Sequence, residues 1–204
     1  MKNKTTKLLI TSALALSAFT ANAATSGDQW VGKARLGYLH LSDDVKVGSA
    51  STATVHTVKN GAVGEVALTY AFNDPTYGLE LGLGYGRTKF KNNAGNSKSA
   101  HFVPVTAMFQ LRHAGDSATP YLGIGYQYQV MGKGDGGAKM KNGGGLTIGA
   151  GVDFLTAGSD LGFNVDVKYT HNANHRITET SGGSEETFSN KMSSATAMAG
   201  LTFA

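Results

Sequence analysis

Apolar and polar residues alternate along eight segments of the chain. In residues 77–85, the odd positions are Tyr77, Leu79, Leu81, Leu83 and Tyr85, and the even positions are three glycines and a glutamate. A repeat of two residues is typical of a β-strand with two different faces. The same pattern recurs in residues 30–41, 62–72, 101–112, 121–130, 146–154, 161–169 and 194–203. The pattern therefore predicts an all-β protein of eight strands.

The apolar faces of these strands indicate which solvent they meet. Tyrosines at both ends of a leucine stripe are typical of a strand that crosses a membrane, where aromatic side chains mark the two interfaces. A sheet in lipid must close, because an open edge leaves backbone groups unpaired. We therefore predict an eight-stranded antiparallel transmembrane β-barrel of the outer membrane. The alternative, a soluble lipocalin-like barrel or β-sandwich, would turn the apolar faces inward, but glycine-rich and charged opposite faces favour a narrow polar lumen.

The connections between the predicted strands alternate in length. Residues 72–76, 113–120 and 155–160 are short, whereas the other connections are long and polar. These long connections are residues 42–61, 88–100, 131–145 and 171–190. Short turns in the periplasm and long loops outside the cell are the arrangement of outer-membrane barrels.

The first residues of the chain predict export. Lys2, Lys4 and Lys7 precede a short apolar run at 8–19, and the Ala-Asn-Ala at 21–23 gives a cleavage site after Ala23. This is the three-part pattern of a secretory signal peptide. We therefore predict a signal peptide at 1–23 and a barrel domain at 24–204, in the outer membrane of a Gram-negative bacterium.

Removing the signal peptide changes the charge of the chain. The full chain has 18 Lys and Arg against 14 Asp and Glu, and the three lysines that leave bring the basic residues to 15. The mature chain is then nearly neutral, so no nucleic-acid partner is expected, since such partners require a basic face. Cysteine is absent, which excludes thiolate metal sites and thiol nucleophiles.

Three sequence stretches resemble the OmpW family of eight-stranded outer-membrane proteins. They are Gly-Leu-Glu-Leu at 78–81, Val-Pro-Val-Thr-Ala-Met-Phe-Gln at 103–110 followed by Thr-Pro-Tyr-Leu-Gly-Ile-Gly at 119–125, and Gly-Val-Asp-Phe-Leu at 151–155. The family has a Leu-Pro-Pro-Thr type motif and then Pro-Tyr-x-Gly-x-Gly. The chain departs from the family at Val105, where the second proline is missing, at Lys168, where an aromatic is usual, and at its final Phe203-Ala204.

The resemblance implies uptake of small hydrophobic molecules through an apolar pocket near the outer end of the barrel. Inward-phased residues that would contact such a solute are Phe102, Pro104, Met108 and Met198. Simple packing of the lumen is the alternative role for these residues, because methionine commonly fills irregular gaps.

The polar faces of the predicted strands place charges of both signs in the lumen. These residues are Lys33, Arg35, Glu65, Glu80, Arg112, Asp153, Asp166 and Lys168. They predict either a buried ion-pair network that plugs the barrel, since buried charges are normally paired, or a polar constriction that admits small solutes. The plugged barrel would have a structural or surface-binding role.

The expected partners are outer-membrane lipid and lipopolysaccharide, small hydrophobic solutes, and the barrel-assembly machinery, which reads the last strand near Phe203. The predicted loops contain seven basic residues that are candidates for contact with lipopolysaccharide phosphates, although such side chains are more often simply solvated. They are Arg87, Lys89, Lys91, Lys98, Lys133, Lys139 and Lys141. No cofactor is expected.

Catalysis and metal binding are disfavoured by the sequence. Residues 169–175 contain His171 and His175 but lack the His-x-Ser-Asn order of barrels that deacylate lipid A. Ser193 would reach His171 only through loop folding, whereas a nucleophile needs a base within hydrogen-bond reach. No third ligand accompanies the two histidines, so neither an enzyme nor a metal site is predicted.

Overall fold

A computed structural model shows ten β-strands within the residues that it describes. It describes residues 29–41, 45–47, 54–72, 76–91, 97–113, 115, 117–132, 139–155, 160–181 and 184–203. The strands are β1 (Gln29–Leu41), β2 (Val45–Val47), β3 (Thr54–Ala71), β4 (Tyr77–Lys91), β5 (Ser97–Arg112), β6 (Ala118–Met131), β7 (Lys139–Lys141), β8 (Gly143–Leu155), β9 (Leu161–Ser181) and β10 (Ser184–Phe203). No helix within these ranges is long and apolar enough to cross a membrane. The predicted signal peptide lies outside the described residues and stays a prediction.

Eight of these strands close into a ring. In order around the ring they are β1, β3, β4, β5, β6, β8, β9 and β10, and each pairs antiparallel with its neighbours. The ring closes between the first and last strands, where Gly32 pairs with Phe203 and Leu41 with Ser194. The predicted eight-stranded antiparallel barrel is confirmed. The two additional strands are three residues long, and β2 pairs with β3 while β7 pairs with β9.

The predicted long loops were wrong in part, because the strands continue into them. β3 begins at Thr54, and β9 and β10 form a hairpin that reaches Ser181 and Ser184. Likewise, β4 ends only at Lys91 and β5 begins at Ser97. Outside the membrane both faces of a strand meet water, so apolar and polar residues no longer need to alternate. The backbone pairing between the strands continues there without that pattern.

Side chains alternate between the lumen and the outer surface along each strand, as the two-residue repeat requires. The outward face carries most of the large apolar side chains, including Leu36, Leu122 and Leu146, which are 76%, 65% and 64% exposed. Aromatic neighbours flank this surface, with Tyr77 stacked on Phe109 at one end and Tyr85 on His101 at the other. A continuous exposed apolar belt matches a lipid-facing barrel wall.

The short turns define the two ends of the barrel. Phe72 N–H donates to Tyr77 O at 3.0 Å, and His113 N–H donates to Pro120 O at 2.9 Å, so each of these two turns is tightly closed. Both termini of the described barrel, Gln29 and Phe203, lie at the same end as these turns. Short turns face the periplasm in bacterial barrels, so we refer to this end as the periplasmic end and to the opposite end as the outer end.

Glycine is required where the closing strands approach most closely. A Cβ added at Gly200 of β10 would overlap the carbonyl oxygen of Ala34 and lie 2.7 Å from Arg35 Cα on β1. These are backbone atoms, which cannot rotate away as a side chain can. By contrast, a Cβ at Gly64 would approach the flexible end of Leu36 at 3.1 Å and the carbonyl oxygen of Arg35 only at 3.8 Å, an ordinary van der Waals distance.

Gly200→Ala is therefore expected to lower the free energy of unfolding by about 1–3 kcal/mol, the usual cost of overpacking. Gly64→Ala, the matched control, should cost far less. Urea titration of the detergent-folded barrel, followed by electrophoretic mobility of unheated samples, measures both variants. Equal unfolding midpoints for the two alanine variants would show that the seam tolerates the extra methyl group.

Candidate functional site

The periplasmic half of the lumen is filled with charged side chains. The eight residues that the sequence predicts for the lumen all lie there, and each is at most 7% exposed. They are Lys33, Arg35, Glu65, Glu80, Arg112, Asp153, Asp166 and Lys168. Together with Tyr121, which lies among them, we refer to this group as the charge plug.

Glu80 of β4 is the centre of the charge plug. Its carboxylate accepts hydrogen bonds from Lys33 Nζ at 3.1 Å, Arg35 Nη2 at 2.8 Å and Lys168 Nζ at 3.1 Å. Gln110 Nε2 at 3.0 Å and Thr69 Oγ1 at 3.3 Å also donate to it. A fully buried carboxylate requires such compensation, because an unpaired charge away from water is strongly unfavourable.

These ion pairs span the full width of the lumen. Lys168 lies on β9, which is four strands around the ring from β4, so its bond to Glu80 joins opposite walls. Lys168 also pairs with Glu65 of β3 at 2.8 Å, and Arg35 pairs with the same carboxylate. Side chains from opposite walls therefore meet at this level of the lumen.

The ion pairs continue toward the periplasmic end. Asp153 Oδ2 lies 3.0 Å from Arg112 Nη2 and 3.2 Å from Lys33 Nζ. Asp166 lies 3.4 Å from Arg35 Nη1. The plug thus contains four basic and four acidic residues, and each of them has at least one partner of opposite sign. Balanced pairing is what makes a charged interior tolerable in a low-dielectric environment.

Tyr121 of β6 is a member of the plug that the sequence analysis did not single out. Its hydroxyl donates to Asp166 Oδ2 at 2.7 Å, and Asn164 Nδ2 donates to it at 3.3 Å. The ring also faces Lys33, whose Nζ lies 4.3 Å from the ring centroid, within cation–π range. The alternation of β6 was sufficient to place Tyr121 in the plug, since Leu122 faces outward and Tyr121 must therefore face the lumen.

The outer half of the lumen has no charged side chain among the described residues, and its two sides differ in polarity. One side contains the buried apolar side chains of β1, β3 and β5, together with Thr88 of the intervening β4. We refer to its apolar residues as the apolar arc: Leu39, Leu41, Val63, Ala100, Phe102 and Pro104. The other side is polar and includes Thr106, Gln127, Gln129, Thr147 and Thr170. These polar groups bond to one another, and both Thr170 Oγ1 and Gln129 Nε2 donate to Gln127 Oε1, at 2.9 and 3.2 Å.

The four apolar residues predicted to contact a solute do not form one cluster. Phe102 and Pro104 lie in the apolar arc, against Gly86 and Gly84 of β4. Met108, further toward the plug on β5, covers Gly123 of the adjacent β6 and Gly149 of β8. Met198 of β10 lies against Gly37 of β1, and β10 is four strands around the ring from β5. All four side chains are buried, so the glycine positions of the lumen are filled by these larger neighbours.

The ladder of paired residues between β4 and β5 is interrupted beside the apolar arc, and we refer to this interruption as the ladder lapse. Leu83 pairs with Val105, and pairing resumes only at Gly86 and Phe102. Pro104 lies within this interval and has no N–H to donate, which accounts for the lapse. On the outer surface the same interval is covered by Tyr85, whose hydroxyl lies 2.6 Å from His101 Nδ1.

The histidines considered for catalysis lie outside the lumen or beyond the described side chains. His171 is exposed on β9, whereas Ser193 is buried at an irregularity of β10. The side chain of His175 lies outside the described residues. Within the described part of the chain, no group of three His, Cys, Asp or Glu residues could hold a metal ion.

Known proteins share sequence and fold with this chain. The family model described as outer membrane protein β-barrel domain matches residues 11–203. A Rickettsia bellii protein whose name describes an outer membrane protein is 32% identical over 127 residues, covering 54% of this chain and 51% of the relative. A Rickettsia prowazekii protein of similar name is 31% identical over 158 residues, covering 67% and 64%. The chain thus spans about half the length of the first relative and 64% of the other.

Two solved structures share the fold. OprG from Pseudomonas aeruginosa has a TM-score of 0.67 at 19% identity, covering 87% of this chain and 95% of its own. AlkL, determined in lipid bilayers, has a TM-score of 0.68 at 15% identity, covering 87% and 90%. Both are OmpW-type eight-stranded outer membrane barrels, so the resemblance inferred from sequence motifs is confirmed for the fold.

Glu80→Gln is expected to destabilise the barrel by about 3–5 kcal/mol, because it leaves three buried cations with one acceptor charge fewer. The charge-balanced double variant Lys33→Met/Glu80→Gln should cost less than the sum of its two single variants, since the two residues are direct partners. Unfolding in urea of the four proteins gives the double-mutant cycle. An unchanged midpoint for Glu80→Gln, or purely additive costs, would contradict the central role of Glu80.

Proposed function

This chain belongs to the family of outer membrane protein β-barrel domains, and from that premise we propose that it gives small hydrophobic molecules a route into the outer membrane while its lumen stays closed to ions. Its localisation is the outer membrane of a Gram-negative bacterium. The observation that carries the proposal is the combination of a charge plug across one half of the lumen with an apolar arc and a ladder lapse in the other half.

The charge plug argues against passage along the whole barrel axis. A solute moving toward the periplasm would have to separate ion pairs such as Glu80–Lys168, which are almost entirely removed from water. Breaking a buried pair exposes two uncompensated charges, at a cost of about 3–5 kcal/mol for each pair. An open aqueous pore of the porin type is therefore not the function we propose.

The apolar arc supports entry of a hydrophobic solute from the outer end. Such a solute meets Leu41, Leu39 and Val63 before it reaches the plug. These side chains are apolar and buried, so they must move apart to admit it. The removal of apolar solute surface from water favours binding there.

The ladder lapse beside Pro104 supports an exit through the wall. Opening a barrel normally breaks backbone hydrogen bonds between two strands, each contributing about 1 kcal/mol. Between β4 and β5 this cost is reduced where Gly84–Pro104 and Tyr85–Val103 are unpaired. Phe102 and Pro104 border the lapse on the lumen side, and Leu83 and Val105 border it on the membrane side. A solute leaving here would enter hydrocarbon directly.

A second candidate function is a structural or surface-binding barrel with no transport. The observation in its favour is the packing of the outer half of the lumen, where the described residues of the apolar arc and the polar side are all buried. In this candidate, both halves of the lumen serve only to hold the barrel wall in register.

We further propose that the protein carries out no chemical reaction and that the assembly machinery recognises its last strand. His171 and Ser193 differ in exposure, which does not support a nucleophile and base pair. Phe203 closes β10 beside Leu161 of β9 and Gly32 of β1, with Leu201 exposed two positions before it. This pattern supports recognition of a terminal aromatic strand.

Pro104→Val tests the proposed exit. Valine restores one backbone donor, so opening of the β4–β5 seam should become about 1 kcal/mol more costly and uptake about fivefold slower. The assay follows transfer of a fluorescent naphthylamine probe into liposomes with a lipopolysaccharide outer leaflet. Pro120→Val is the matched control, since Pro120 of β6 lies in an uninterrupted ladder with β8, and it should leave uptake unchanged.

Uptake by the wild-type protein no faster than by protein-free liposomes would reject the transport function and favour the structural candidate. If the wild-type protein and Pro104→Val both accelerate uptake to the same extent, the transport function is retained but the β4–β5 seam is rejected as the exit.

A further inference from the structure

The outward face of the barrel carries permanent charge on one strand. Among the strand residues whose side chains the structure describes, the outward-facing positions are apolar, aromatic, small or neutral polar, with a few histidines, except for Arg87 and Lys89 of β4. Both side chains are exposed. All other described strand residues with permanent charge lie inside the lumen, in the charge plug.

The position of these two cations along β4 places them at the membrane surface. Tyr77 and Tyr85, eight residues apart, bound the leucine stripe, and at about 3.3 Å per residue and a tilt of about 40° they differ in height by about 20 Å. This is close to the height of about 25 Å of a barrel's apolar band. Arg87 and Lys89 then lie about 5 and 10 Å beyond the outer tyrosine, at the depth of lipid headgroups.

Among the described residues, those that neighbour the two cations provide no acidic partner. Opposite Arg87 the ladders place Ala62 and His101, and opposite Lys89 they place Lys59 and Ser99. Arg87 Nη2 donates to Ser99 Oγ at 3.2 Å, which orients the guanidinium without neutralising it. Within the described part of the chain, neither cation is paired with a carboxylate; the ion pairs found there all belong to the plug.

Below the cations the wall is apolar. Leu83 and Val105 are 45% and 44% exposed, and Tyr85 with His101 separates them from the charged positions. A ligand that covers both regions must combine an anionic group with hydrocarbon. A phosphorylated lipid has this chemistry, whereas free phosphate would use only the upper part of the surface.

We propose that Arg87 and Lys89 form a binding site for the phosphate of an outer-leaflet glycolipid of the lipid A type, with its acyl chains against Leu83 and Val105. The arginine fork donates two parallel hydrogen bonds to phosphate oxygens, and the lysine adds a point charge. This site is separate from the lumen and does not depend on transport. It would place a tightly bound lipid directly beside the β4–β5 seam.

The test measures how tightly the purified full-length barrel, in neutral detergent, binds bis-phosphorylated lipid A. Native mass spectrometry counts the bound lipids on each barrel. Arg87→Gln/Lys89→Gln should bind at least about tenfold more weakly, because two charge-assisted contacts are lost. The charge-conserving variant Arg87→Lys/Lys89→Arg should stay within about threefold of wild type, since only the bidentate geometry is lost. His171→Gln, on β9, alters an exposed polar residue on the opposite wall of the barrel and should change nothing.

Two further ligands distinguish the source of binding. Dephosphorylated lipid A should bind about as weakly as bis-phosphorylated lipid A binds to the glutamine variant, and millimolar inorganic phosphate should not displace the lipid. Equal affinity of wild type and Arg87→Gln/Lys89→Gln would overturn the site. Equal affinity for phosphorylated and dephosphorylated lipid would show an apolar contact only, and displacement by inorganic phosphate would show a simple anion site. Both of these results also overturn the proposal. If the double variant does not fold, the single variants Arg87→Gln and Lys89→Gln provide the same comparison.

Discussion

In hydrocarbon, every backbone N–H and C=O must find a partner within the protein, and a sheet meets this requirement only by closing on itself. Eight strands are enough to close, and they leave an interior about as wide as its own side chains. The other main features follow from this narrow ring. Backbones crowd at the seam between β1 and β10, so Gly200 has no room for a Cβ. Side chains from opposite walls, such as Glu80 and Lys168, come within hydrogen-bond distance.

The same narrowness decides what the lumen can contain. Charged side chains near the middle of the barrel are cut off from bulk water, so they persist only as a neutral, mutually bonded group. Lys168 illustrates the consequence. The OmpW-like pattern favours an aromatic near this position, which would extend an apolar lumen, but the lysine instead joins Glu65 and Glu80. This chain therefore separates a charged periplasmic half from an outer half with one apolar side.

The fold was predictable because the two faces of each strand meet different solvents over the membrane thickness. The strand from Tyr77 to Tyr85 can be recognised in the sequence for that reason. Even Tyr121 could be assigned to the lumen from the outward position of Leu122. Residues 171–190 were not predicted as strands, because above the membrane both faces meet water and the pattern disappears, although pairing between β9 and β10 continues.

The partners within the site were less predictable than its members. The sequence indicates that Glu80 and Lys168 face inward, but their contact depends on the stagger of eight strands around the ring, and no local pattern encodes that stagger. The ladder lapse is an intermediate case. Pro104 is visible in the sequence, yet its effect depends on its missing donor being on the side of β4 rather than β6, where Pro104 and Gln129 remain paired.

We propose that the charge plug seals the barrel against ions. Ionic conductance of the purified protein in planar lipid bilayers at high salt measures this most directly. If the plug seals the lumen, insertion of folded barrels leaves the bilayer without steady conductance steps. Stable, reproducible steps that scale with the number of inserted barrels would contradict it, because they would require a continuous aqueous path through the ion pairs around Glu80.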